Sequence, residues 1–231
     1  MRIGFVSTRL AGTDGVSLET RKIAHILTSL EHSCYYCAGE LDPDFPGLID
    51  PLFHFMHPDV EAIQERAFGD STPDPVLQAE IEAMAASLTA TLADFCATYE
   101  IDILVPQNAL AIPMHLPLGL ALTNFIREQG MQTVAHHHDF YWERSRFDAC
   151  RVPDLLETCF PPELPTLRHM VINSLAQASL RDRRGVESEV LPNIFDYASA
   201  APGLTEENQA LRSDLGLDDN HLLILQPTRV I

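Results

Sequence analysis

The chain has 231 residues, 46% of them apolar, enough for one large domain or two small ones built on a real core. With 33 acidic against 15 basic side chains it carries a formal charge of −18, and such a surface repels nucleic acid and anionic membrane. No apolar run reaches the roughly 18 residues a spanning helix needs, and Met1-Arg2-Ile3-Gly4-Phe5 lacks the apolar stretch of a signal peptide. A cytoplasmic protein without a membrane span is expected.

Ile3-Gly4-Phe5-Val6 is short, apolar and β-prone, the pattern of a fully buried strand. A polar loop with two glycines three apart follows, Gly12-Thr13-Asp14-Gly15. From there apolar residues recur at Val16, Ile23, Ile26, Leu27 and Leu30, one face of a helix. Strand, glycine loop and helix make the first unit of a doubly wound α/β sheet. The helix N-terminus there offers unpaired N–H groups and the positive end of the dipole to an anion. The dinucleotide fingerprint and the P-loop pattern are both absent, which disfavours nicotinamide and ATP sites of those kinds.

Residues 33–38 read as a second strand containing Cys34-Tyr35-Tyr36-Cys37. Positions i and i+3 of a strand point to opposite faces, which argues against a zinc or redox pair. The five cysteines are an odd, scattered set, expected to be reduced thiols. Residues 42–51 are loop, and Asp42-Pro43-Asp44 reads as a turn rather than a metal-nucleotide triplet, because proline separates the acids and no strand leads in. A third strand is expected at 52–55, then a short helix from Pro58 with Asp59 and Glu61 complementing its dipole. Leu77, Ile81, Met84, Leu88, Leu92, Phe95 and Tyr99 form one stripe of a long packing helix.

Residues 103–106 are a buried strand ending in the polar pair Gln107-Asn108, and 116–129 a helix stopped by Gly130. A strand from 133 runs into His136-His137-His138-Asp139; another spans 169–172. Ser174 is expected to cap the next helix, with Gln177 completing a capping box, and 189–191 is a last strand closed by Pro192-Asn193. Strands and helices alternate throughout, so the fold class is α/β: a Rossmann-like parallel sheet with helices on both faces. Ligands of such sheets sit beyond the carboxyl ends of the strands. The glycine loop, Gln107-Asn108 and the histidine run all fall at that edge.

The composition changes after Asp196. Residues 197–203 read as linker, Thr205 as the cap of a short helix ending near Leu215-Gly216, and 221–226 as an apolar strand. The expected division is therefore 1–196, a Rossmann-like acceptor-side domain, and 197–231, the truncated start of a second domain. An unpaired apolar strand invites pairing with another copy, so a homodimer is allowed.

In order and spacing the chain resembles the N-terminal half of GT-B retaining glycosyltransferases of the GT4 type. The pieces that carry the resemblance are RIGFVSTRLAGTDGVSLETRKIA, VAHHHDFYWER, VINSLAQASL, LPNIFD at the crossover and LILQPTRVI at the start of the second domain. The resemblance implies two Rossmann-like domains facing a cleft, the first binding the acceptor and the second a nucleotide-diphosphate sugar. It places Gly12, Thr13, Asp14 and Gly15 beside the donor's phosphates and sugar, and His138 close to the transferred sugar. Arg229 would help hold the diphosphate, beside a lysine this chain lacks. No metal cofactor is implied. The second domain's glutamate pair is also missing, so this chain alone is not expected to turn over.

The residues agree with that chemistry. A departing diphosphate suits a helix N-terminus and a guanidinium, and His138, His136, Asn108 and Asp139 at strand ends suit sugar hydroxyls. Arg144, with Arg146 and Arg151 nearby, hints at an anionic small-molecule acceptor. Two rivals stand beside this reading: a metal-dependent hydrolase using His136, His138 and Asp139, and a non-catalytic sugar- or nucleotide-binding module.

Overall fold

The computed structural model describes residues 1–193, 195, 203–206, 208–218 and 220–224. The chain divides into two compact units, Met1–Asn193 and Ile194–Ile231.

The first unit is built on seven strands: β1 (Arg2–Val6), β2 (Ser33–Ala38), β3 (Gly47–Ile49), β4 (Ile103–Pro106), β5 (Thr133–His137), β6 (Leu167–Val171) and β7 (Glu189–Val190). Among the described residues they form one wholly parallel sheet in the order 3-2-1-4-5-6-7. The chain steps one way from β1 to β3 and the other way from β4 to β7, so β1 and β4 flank the switch point, where such sheets open a crevice.

Helices lie on both faces, as the alternation predicts. On one side α1 (Gly15–Ser29) packs over Ile3, Phe5, Tyr36 and Ala38. On the other, α3 (Pro75–Tyr99) and α4 (Leu116–Gln129) bury Leu88, Leu92, Phe95, Leu122 and Phe125 against Val6, Cys37, Leu104 and Ala135. The shorter helices α2 (Pro58–Ala67) and α5 (Pro153–Cys159) close a satellite core around Ile81 and Phe160. The last helix of this unit, α6 (Ser174–Arg184), packs Ala176 and Leu180 on Val171. Cys34 and Cys37 fall into the cores on opposite faces, and all five cysteines are free thiols.

Four local expectations are corrected. The third strand is Gly47–Ile49, not 52–55: Asp50 accepts from Leu52 N and, with Pro51 at the first position, starts a 3-10 turn over Pro51–Phe53. The α1 stripe holds in part: Val16, Ile23 and Leu27 pack on the core beside buried Ala24, whereas Ile26 is 46% and Leu30 60% exposed, Ile26 lining an apolar cavity with Ile3, Phe5 and Val105. Strand β6 starts at Leu167, earlier than expected. The cap of α6 is Asn173, whose Oδ1 accepts from Ala176 N, while Gln177 donates to the Ser188 carbonyl, so no capping box forms. The Asp42-Pro43-Asp44 turn stands as expected: Asp42 accepts from Gly12 N and both acids pair with Arg21.

In the second unit α7 (Leu211–Asp214) is one short turn, and Arg212 donates to the carbonyls of Asp218 and His221. Residues 221–224 are not a strand. The rest of that expected strand, residues 197–202 of the linker, and Arg229 lie outside the described residues. Among the described residues no helix is long and apolar enough to cross a membrane.

Phe95 is fully buried where α3 meets β1, with its ring edge against the backbone of Gly4. Phe95→Ala is expected to lower the unfolding free energy by about 3–5 kcal/mol in urea titrations. A loss below about 1 kcal/mol would mean that α3 does not anchor the sheet.

Candidate functional site at the switch point

Three segments meet beyond the ends of β1, β4 and β5. After β1 the chain runs along the edge, Ser7 Oγ donating to the Gln107 carbonyl at 3.0 Å, while Gln107 N donates back to Val6 O at 2.7 Å. Asn108 N then donates to His136 O at 2.8 Å, which ties the end of β4 to β5.

Asn108 adopts φ +56°, a left-handed conformation that asparagine tolerates better than most residues. Its side-chain amide uses both ends: Oδ1 accepts from His138 N at 3.0 Å and Nδ2 donates to Asp139 Oδ1 at 2.9 Å. Arg144 pairs with the other oxygen of Asp139. Asn108, Asp139 and Arg144 thus hold one another, and the turn carrying His138 is locked by them.

The three histidines divide between faces as strand alternation requires. His137 is fully enclosed, with Nε2 at 2.9 Å from His169 Nδ1 and its ring against Phe140. Burial, and then the neighbouring His169, drives the His137 pKa well below its ordinary value. On the other face the rings of His136 and His138 lie 4.6 Å apart. His136 Nδ1 sits 3.0 Å from Gln107 Oε1; an imidazole N–H donating there leaves Nε2 as the ring's lone pair. Burial pushes the His136 pKa down to about 3. It also lowers that of His138, against the opposing pull of Asp139, Glu19 and Asp14. Both rings are therefore neutral near pH 7. The Nε2 atoms of both are buried and have no protein partner, a costly condition in a folded chain.

The glycine loop faces this pair from α1. Gly12, Thr13 and Gly15 are exposed, Gly12 with φ +73°. Asp14 is the cap of α1: Oδ1 accepts from Val16 N and Ser17 N, and Oδ2 from Ser17 Oγ at 2.6 Å and from Arg9 at 3.0 Å. Burial works to raise the Asp14 pKa, but the Ser17 hydroxyl and amide and then Arg9 outweigh it, so the carboxylate is held below its usual range. Asp14 therefore occupies two N–H groups that an anion would otherwise take. A turn further on, Glu19 is buried and ion-paired with Lys22 at 2.5 Å.

Among the described residues no three His, Cys, Asp or Glu side chains are placed to hold a metal ion, since Asp139 is turned to Asn108 and Arg144. Arg151 lies apart, paired with Asp70. Sequence reasoning placed Gln107 at this edge but not its bond to His136, and missed His169, the partner of His137. It also missed Glu19, whose only signal was a carboxylate on an otherwise packing helix.

The fold has a solved counterpart. Sucrose-phosphate synthase from Thermosynechococcus elongatus superposes with a TM-score of 0.55 at 13% identity, over 95% of this chain and 53% of that one. The architecture is that of a GT-B N-terminal domain. Two curated GT-B relatives match along the whole chain, both named mannosylglucosylglycerate synthase. The protein from Thermotoga maritima is 32% identical over 240 residues and that from Petrotoga mobilis 28% over 236. The chain spans about half the length of these relatives, 53% and 54%. No family model matches it.

Because Asn108 is left-handed, its two roles separate by substitution. Asn108→Gly removes the side-chain bridges but keeps the backbone, whereas Asn108→Ala also strains it. The alanine variant is expected to be the less stable by about 1–2 kcal/mol in chemical unfolding. Equal stability would mean that the turn relaxes when the bridges are lost.

Proposed function

We propose that this chain supplies the acceptor-side half of a retaining glycosyltransferase, which moves a sugar from a nucleotide-diphosphate donor to a small glycoside. The observation that carries the reading is the pair of neutral imidazoles, buried His136 and half-buried His138, whose Nε2 atoms are buried and find no protein partner at the switch point of the sheet. A sugar hydroxyl is the partner such atoms need: it donates to the lone pair of a neutral ring and fixes the hexose in the crevice.

In this reading His138 orients the transferred sugar while positive charge develops at the anomeric carbon. His138 is not a base for the acceptor; retention is compatible with the acceptor proton passing to the departing diphosphate. Gly12, Thr13 and Gly15 let the donor approach the backbone at the start of α1. Asp14 shapes that loop as its cap rather than touching the phosphates. Asn108, Asp139 and Arg144 position His138, and Arg229 is proposed to contact the diphosphate. The names of the two relatives support a mannosyl donor and an acceptor ending in glycerate, such as glucosylglycerate, which carries a carboxylate.

The test is substitution in a polypeptide with measurable transferase activity. His138→Ala is expected to lower kcat with a modest change in donor KM, a loss of about 2–4 kcal/mol of transition-state stabilisation. His137→Gln, on the opposite face, should change turnover far less. Unchanged kcat in His138→Ala would overturn the role given to this ring.

A further inference from the structure

The three arginines that follow the histidine run do not share one fate. Arg144 is taken by Asp139 and Arg151 by Asp70. Arg146 has no carboxylate within ion-pair distance among the described residues. One of its N–H groups points at the Met114 sulfur, 3.0 Å away, and its guanidinium lies 4.6 Å from the centroid of the Phe147 ring. A thioether is a weak acceptor. A guanidinium in that position retains most of its capacity for an anion, and its planar fork matches a carboxylate in two-point geometry.

Arg146 opens onto a cavity of about 350 Å³. One wall is apolar, made by Phe55, Phe68, Met114 and Phe147. Gln64 lines the same space; it donates to the Pro113 carbonyl and leaves its Oε1 buried without a protein partner, an acceptor suited to a hydroxyl. Glu61 and Glu65 stand on the exposed side of α2 at the rim. Partial burial of the guanidinium, and then Arg144, lower the Arg146 pKa, with Asp139 opposing them. The cavity therefore combines an apolar wall, one hydroxyl acceptor and one cation without an ion-pair partner among the described residues, beside two rim carboxylates. Arg146 stands two residues past Arg144, which pairs with Asp139 next to His138.

We propose that this cavity is the acceptor's carboxylate subsite, with Arg146 binding the carboxylate and selecting acidic glycosides over neutral ones. The inference rests on the transferase reading above and adds to it the residue that sets acceptor charge. Arg144 has a different task, holding Asp139.

Calorimetric titration of this chain with glucosylglycerate and with its neutral analogue glucosylglycerol tests the proposal. The wild-type chain is expected to bind the carboxylate form roughly tenfold or more tightly, the scale of one charge-assisted contact. Arg146→Gln should bind the two glycosides alike, while Arg151→Gln keeps the wild-type preference. Circular dichroism of Arg146→Gln, an exposed position, should be unchanged. If both glycosides bind equally well to the wild type, or the preference survives in Arg146→Gln, the subsite is wrong while the acceptor reading stands. If neither glycoside binds, the acceptor reading fails and the subsite fails with it.

Discussion

The candidate site depends on one residue held in a conformation most side chains avoid. Asn108 ends β4 with φ +56°, and from there its amide reaches both the His138 backbone and the Asp139 carboxylate. Left-handed backbone costs on the order of 1–2 kcal/mol per residue, and it persists where surrounding bonds over-determine it. Here those bonds are the paired contacts to β5 and the Gln107 bond back to β1. The result joins the three strand ends that flank the switch point, so that loops from distant parts of the chain present their polar groups in fixed relation.

That rigidity explains how buried histidines can face a crevice without collapsing onto protein partners. The nearby carboxylates are already engaged, Glu19 by Lys22 and Asp139 by Asn108 and Arg144. Gln107 fixes one ring through its Nδ1, and the Asn108 bridge fixes the backbone of the other. Burial keeps both neutral, and a neutral ring can present a lone pair to a hydroxyl where a protonated one cannot. On the opposite face the His137–His169 pair is sealed in the core, which shows how one strand can give adjacent identical residues different work.

Much of this was legible in the sequence. Alternating apolar runs and helix stripes gave the parallel sheet, and polar residues after three strands marked its carboxyl edge. The histidine faces followed from strand alternation alone. What failed was local competition between signals of similar strength. Leu52 and Phe53 look like strand, yet Asp50 and Pro51 start a 3-10 turn, and the edge strand forms earlier at Gly47, in register beside Tyr36. The stripe of α1 held at Val16, Ile23 and Leu27 and failed at Leu30 and at Ile26, under which an apolar cavity lies in place of packed side chains. Asn173 and Ser174 are both good caps, and composition could not choose between them. Nor could it separate Arg144 from Arg146, since only the fold shows which guanidinium meets a carboxylate.

The central claim is that sugar binds on the His136 and His138 side of the strand end, through neutral imidazole nitrogens. Nitrogen-15 NMR of the imidazoles, during titration of the chain with a nucleotide-diphosphate hexose, measures this directly and tolerates weak binding. The account predicts that the Nε2 signals of His136 and His138 shift as a hydroxyl donates to them, while His137 and His169 stay still. Shifts confined to His137 and His169, or none on the other pair at saturating ligand, would contradict it.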